Sequence, residues 1–163
     1  MFFSHPSRAF LAACSAVYLA CSAASAQEAA APVGADGAAV LASSLTNSGL
    51  AEANLISVLR DGETITVRVR FKSTEGASGR EVLYGSISAK SWESDFYILS
   101  GDKKYLLMKD ANGAPLAPSS LQLNMANPQA GSWSATFPAP PAGQTAILHI
   151  GAVEPLGPFT VPE

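Results

Sequence analysis

Cysteine and histidine are scarce in this chain of 163 residues. Its two cysteines, Cys14 and Cys21, both lie near the start, and its two histidines are His5 and His149. From residue 22 onward the sequence has no thiol, which excludes disulfides, thiol catalysis and thiolate metal ligands from that part of the chain. A domain formed there must be held together by its apolar core.

Long apolar runs are also missing. The longest, from Ala9 to Ala20, has about a dozen residues and falls short of the ~20 needed to cross a bilayer. Arg8 precedes this run, and the small-residue sequence Ala24-Ser25-Ala26 follows it. This order predicts a secretory signal peptide over residues 1–26, with Gln27 as the first residue of a periplasmic or extracellular protein.

The two cysteines leave a second interpretation of the leader open, a lipoprotein whose cysteine is acylated after cleavage. The residues before Cys14 have suitable chemistry, but the apolar run before them is too short. Cys21 follows a long enough run, but Tyr18 stands where leucine is usual. We therefore expect plain secretion, with a lipid anchor at Cys21 as the alternative.

Positive charge is outnumbered. Ten Lys and Arg residues face 13 Asp and Glu residues, which gives a formal net charge of −3. Without residues 1–26, which contain one arginine, the balance becomes nine against 13, or −4. Nucleic acids and anionic membrane surfaces favour basic patches, so this balance argues against both as partners.

The rest of the chain divides into two parts by composition. Residues 27–48 are mostly Ala, Gly and Ser, which predicts a linker. Residues 49–163 have a length suited to one domain and carry short, alternating apolar runs.

Asp61-Gly62 separates two such runs and predicts a two-residue hairpin turn. The opposed pairs on this register are Arg60–Glu63, Val58–Ile65 and Ile56–Val67. Alternation continues the buried face through Val69 and Phe71. The solvent face of the same strand then carries Thr64, Thr66, Arg68, Arg70 and Lys72.

A second hairpin is predicted at Gly101-Asp102. Its opposed pairs are Ser100–Lys103, Ile98–Tyr105 and Phe96–Leu107. Both faces of this hairpin are apolar, so we expect it in the middle of the assembly or partly covered by loops.

The remaining strand patterns are short and separated by turn residues. They fall at Arg80–Ser88, Trp133–Phe137, Thr145–Ile150 and Phe159–Val161, while Ser91–Ser94 is expected to form a loop. Seven or eight strands without a helix of ten residues predict an all-β fold, an antiparallel sandwich.

Two segments, Lys104–Asp110 and Trp133–Pro141, are followed by a strand and a Pro-flanked terminal strand. This succession, within Leu55–Glu163, resembles a group of small exported bacterial immunoglobulin-like domains that occur alone or beside cell-envelope modules. The resemblance implies an antiparallel immunoglobulin-like sandwich of seven to eight strands and an envelope location. It implies no catalytic residues, and the chain lacks the cysteine pair of antibody domains.

Few residues are candidates for catalysis or metal binding. His149 could serve as a general base, but no Gly-x-Ser-x-Gly motif accompanies it, so we interpret it as a strand-surface residue. Met108, Met125 and His149 are the soft ligands beyond residue 26, and they lie far apart in sequence. We therefore expect no catalytic residue, metal or cofactor.

Three residues are candidates for contact with a partner. Arg68 and Arg70 share the solvent face of their strand and could bind an anionic polymer, and Trp92 could stack on a sugar. The interpretation that we favour is a non-catalytic binding or assembly module of the cell envelope that docks a protein or an envelope polymer. A sugar- or metal-binding domain resting on Trp92 and Met108 is the alternative, and a hydrolase comes third.

Overall fold

The computed structural model describes residues 39–163, in which ten strands and one short helix follow one another. The strands are β1 (Ala42–Leu45), β2 (Ala51–Asp61), β3 (Thr64–Ser73), β4 (Arg80–Tyr84), β5 (Tyr97–Ser100), β6 (Lys103–Leu106), β7 (Leu121–Asn124), β8 (Gln129–Pro138), β9 (Thr145–His149) and β10 (Leu156–Thr160). Helix α1 (Ala89–Ser94) lies between β4 and β5. The predicted signal peptide, both cysteines and most of the predicted linker lie outside the described residues.

The strands form three antiparallel sheets. The first has the order β1-β2-β3-β8, the second β10-β9-β5-β6, and the third consists of β4 and β7. Buried side chains from all three sheets pack in one core, so the all-β, sandwich-like architecture is confirmed. In residues 39–163, no helix has the length and apolar character needed to cross a membrane.

Ten strands exceed the seven or eight expected, because two short ones were not foreseen. Strand β1 lies within residues 27–48, the expected linker, where its serines and alanine give little strand signal. Strand β7 has only four residues, of which Gln122 and Asn124 are polar. Both have too few apolar residues for alternation to stand out.

The first hairpin has the predicted faces but a different register. Ile65, Val67, Val69 and Phe71 are all buried, as alternation predicted. The loop residues are Gly62 and Glu63, however, so Asp61 pairs with Thr64 and Val58 with Val67. The reason lies in the backbone. Gly62 has φ +56°, whereas Glu63 does not adopt positive φ, since Ala152 is the one non-glycine residue that does so between residues 39 and 163. Glycine therefore takes the first loop position rather than the second.

The same hairpin contains a bulge that the sequence did not reveal. Leu55 faces Val69 and Ser57 faces Arg68, so Ile56 is the extra residue. Ile56 was expected opposite Val67 in the core. The bulge removes it from the alternation and leaves it half-buried.

The second hairpin has the predicted register. Ser100 pairs with Lys103 and Ile98 with Tyr105, and the Leu107 N–H donates to the Phe96 carbonyl at 3.2 Å. Strand β5 lies between β9 and β6 in the second sheet; Ile98 is buried in the core, whereas Tyr97 and Leu99 on the opposite face are only half-buried.

Helix α1 replaces the loop expected at Ser91–Ser94, and the strand expected at Arg80–Ser88 ends at Tyr84. Ser88 is the N-cap residue, because its side chain accepts a hydrogen bond from the Ser91 N–H at 3.1 Å. The Ser91 hydroxyl accepts one from the Ser88 N–H at 2.9 Å. This reciprocal pair is a capping box with serine at the position where Glu or Gln is usual.

Strand β1 is bonded on both edges. It pairs with β2 on one side, and on the other the Glu154 N–H donates to the Leu45 carbonyl at 3.0 Å. The Ser44 hydroxyl donates to the Glu154 carbonyl at 2.8 Å, and Thr46 forms an antiparallel bridge with Val153. Residues near the end of the chain therefore cover the outer edge of the first sheet.

Candidate functional site

A groove of about 410 Å³ crosses the first sheet. We call it the basic groove, because two arginines stand in it; its lining residues are Ile56, Arg68, Val69, Arg70, Pro118, Ser132, Trp133 and Ser134. The structure thus brings together two of the three residues predicted to contact a partner. Trp92 is not among the lining residues.

The sheet register sets the chemistry of the basic groove. Arg68 lies between Ser57 of β2 and Ser134 of β8, and Arg70 lies between Asn54 and Ser132. Arg68 therefore has a serine as its cross-strand neighbour on each side. The next basic residue on this face, Lys72, differs in that it pairs with Glu52 of β2.

A chain of hydrogen bonds links the core to the wall of the basic groove. The buried Trp133 indole donates to the Tyr84 hydroxyl at 2.8 Å, and that hydroxyl donates to the Pro118 carbonyl at 2.9 Å. Burial raises the pKa of Tyr84 above 10.0, although the hydrogen bond from Trp133 acts in the opposite direction. The phenol therefore remains a donor near neutral pH and can hold Pro118 beside the groove.

Trp92, the third predicted contact residue, lies in helix α1 with its polar atom already engaged. Its indole N–H donates to the Leu107 carbonyl at 2.7 Å. The Lys109 ammonium lies 3.7 Å from the centroid of its ring. One face of the half-buried ring is thus covered by a cation of the same chain.

His149 lies on the outer face of the second sheet, as its strand position predicted. Its ring stacks on Tyr97 with centroids 4.3 Å apart, and the Lys104 ammonium lies 4.0 Å from the Tyr97 centroid. Burial, and to a lesser extent the charge of Lys104, lowers the pKa of His149 below its ordinary value of 6.5. The folded protein therefore favours the neutral imidazole.

This shift makes stability depend on pH. The unfolded chain takes up the proton around pH 6.5, before the folded one does. The stability contributed by neutral His149 is thus present above that pH and is lost as the pH falls below it. We expect wild type to lose more free energy of unfolding between about pH 7.5 and 5.5 than His149→Phe, which keeps an aromatic ring against Tyr97. Urea denaturation across this range measures the difference, and parallel profiles for the two proteins would contradict it.

The soft metal ligands considered from the sequence lie in different surroundings. Met125 is buried near the Ser73 hydroxyl, with 3.9 Å between oxygen and sulfur. The Met108 N–H donates to the Thr136 carbonyl, whereas His149 stacks on Tyr97. Within residues 39–163, no three His, Cys, Asp or Glu side chains are grouped where they could hold a metal ion.

Sequence reasoning missed most of the groove around its two arginines. Ser132 and Ser134 could have been found, because they alternate with the buried Trp133 on a strand that pairs with β3. Pro118 carries no such signal, since a hydrogen bond to Tyr84 places it. Comparison with protein-family models, curated proteins and solved structures found no match for this chain.

Proposed function

We propose that this chain is a non-catalytic binding module that docks an acidic partner in the basic groove. The observation that carries the proposal is the placement of two guanidinium side chains, those of Arg68 and Arg70, on one face of β3 inside a concave site. Guanidinium groups bind carboxylate and phosphate oxygens with paired hydrogen bonds. The hydroxyls of Ser132 and Ser134 add further donors to the same groove.

We further propose that this module lies outside the cytoplasm and is an immunoglobulin-like sandwich of the cell envelope. The signal-peptide pattern of residues 1–26 supports export, and the absence of cysteine beyond residue 21 fits a domain held by its core. The antiparallel sheets and their common core are compatible with the resemblance to immunoglobulin-like domains. A protein or an envelope polymer that carries acidic groups is the partner class.

Charge reversal inside and outside the basic groove tests this function. The probe is fluorescent poly-L-glutamate, and the measurement is its anisotropy on titration with the protein at low salt. We expect Arg68→Glu to weaken binding at least about tenfold, because it replaces a positive guanidinium by a carboxylate that repels the negatively charged probe. Binding should also weaken as salt is added.

Lys72→Glu is the matched control, since it makes the same change of charge on the same face of β3 at a position that does not line the groove. We expect its affinity to stay within about twofold of wild type, as for a charge outside the contact. Equal losses of affinity in the two variants would show that the probe is attracted only by the overall charge of the protein. Equal losses, or no binding by wild type at low salt, would overturn the proposed function.

A further inference from the structure

The edge of β8 beside the basic groove carries backbone groups without a partner strand. Thr136 directs both of its groups away from β3: its N–H donates to the Leu116 carbonyl at 3.1 Å, and its C=O accepts from the Met108 N–H at 3.0 Å. Alternate residues of an antiparallel strand point their backbone groups to the same side. Ser134 and Ser132 therefore direct theirs to the same edge. Within residues 39–163, those four groups have no backbone hydrogen-bond partner.

Pro118 explains why this part of the edge stays open. Leu116 covers the backbone of Thr136. After Leu116 the chain runs to β7, which belongs to the third sheet, and Pro118 on this path lines the groove. Proline has no N–H to offer Ser134. Its carbonyl already accepts the Tyr84 hydroxyl. The nearest wall of the groove is thus not built to pair with the edge.

We propose that the partner is an extended protein segment that adds to this edge as a strand, with acidic residues at alternate positions. The inference rests on the proposed function and specifies the kind of partner. Its backbone would pair with the four free groups of Ser132 and Ser134, as in other cases of strand addition. Its side chains on the outer face would point toward the two arginines.

The spacing of the arginines determines the acidic pattern. Arg68 and Arg70 are two residues apart on one strand, so about 6.6 Å separates their Cα atoms along it. Acidic residues at positions i and i+2 of an added strand have the same spacing and share one face. The added strand would lie two strands from β3, about 9.6 Å away, a gap that an arginine and a glutamate side chain span together. Adjacent acidic residues would point to opposite faces.

Synthetic peptides test the pattern and the backbone pairing separately. The probe is a short fluorescent peptide in which Glu alternates with Thr or Val, titrated with the exported protein. One control has the same composition with its Glu residues adjacent in pairs. The other keeps the alternating sequence but has the edge-facing amides N-methylated, which removes backbone donors and leaves every charge. We expect each control to bind at least about tenfold more weakly, as loss of several hydrogen bonds or an ion pair implies.

A protein variant tests the same edge. Ser134→Pro removes the outward N–H, which takes no part in the pairing with β3, and Ser134→Ala keeps it. Both variants lack the Ser134 hydroxyl and differ in the backbone N–H, so we expect Ser134→Pro to bind at least about tenfold more weakly than Ser134→Ala. Thermal unfolding verifies that both variants are folded; if Ser134→Pro is not, the N-methylated peptide decides.

The outcomes separate the two proposals. If Arg68→Glu abolishes binding but N-methylation does not, strand addition is overturned and the proposed function stands. If neither changes binding, both are overturned. Sedimentation of the free protein adds a third comparison: a dimer that Ser134→Pro dissolves would make a second copy of this chain the occupant and overturn the acidic segment.

Discussion

Replacing Trp133 with alanine is expected to lower the free energy of unfolding by ~3–5 kcal/mol, the range for deleting a fully buried large aromatic side chain. The Trp133 side chain is only 2% exposed and packs near Phe137, with ring centroids 6.5 Å apart. Its loss also leaves the Tyr84 hydroxyl without its donor. Because domains of this size are commonly stable by only ~5–15 kcal/mol, the variant should unfold at a much lower urea concentration.

Trp133→Phe is the control that separates apolar packing from the indole hydrogen bond. It keeps most of the ring surface and removes the donor to Tyr84, so we expect a loss of about 1 kcal/mol from that bond and a smaller loss from imperfect packing. Chemical denaturation measures both variants. A loss below ~1 kcal/mol for Trp133→Ala would show that the ring contributes little to the core.

Phe71→Ala is expected to have a comparable effect, ~3–5 kcal/mol. Phe71 is fully buried and has small cross-strand neighbours, Ala53 on β2 and Gly131 on β8. A Cβ built on Gly131 would lie 2.7 Å from the Leu123 side chain, so the space beside Phe71 is filled from the third sheet. The cavity left by the missing ring would therefore be bordered by strands that cannot move closer without disturbing their pairing.

The neighbouring residue provides the matched control for that prediction. Lys72 follows Phe71 on the same strand but is exposed on the opposite face. We expect Lys72→Ala to change the free energy of unfolding by no more than about 0.5 kcal/mol. Similar losses for the two variants would contradict the assignment of faces on β3.

Alternation along β3 was enough to predict which of its residues are buried and which face solvent. The register was not predictable from that pattern, because it depends on which loop residue adopts positive φ. In both hairpins glycine takes the first loop position, with φ +56° at Gly62 and at Gly101. Asp61-Gly62 resembled a turn with glycine second, whereas the actual turn matches the one correctly placed at Gly101-Asp102.

The candidate site was predictable only where one strand contains it. Arg68 and Arg70 follow from the alternation of β3. The opposite wall depends on a hydrogen bond between Tyr84 and Pro118, which are 34 positions apart, and short-range patterns do not carry such a contact. Helix α1 was missed for a related reason, because Ser91 occupies the capping position where a glutamate would have signalled a helix start.

The closure of β1 has a consequence for the order of folding. The hydrogen bond from Ser44 to Glu154 joins residues 110 positions apart. Such distant contacts form late, because the intervening chain must first be organised. In a folding chain, β1 can therefore pair with β2 early, but its second edge stays open until residues near 154 have reached it. A partly folded chain with β1 in place therefore presents unpaired backbone groups along that edge, which can pair with another chain until Thr46 and Val153 have met.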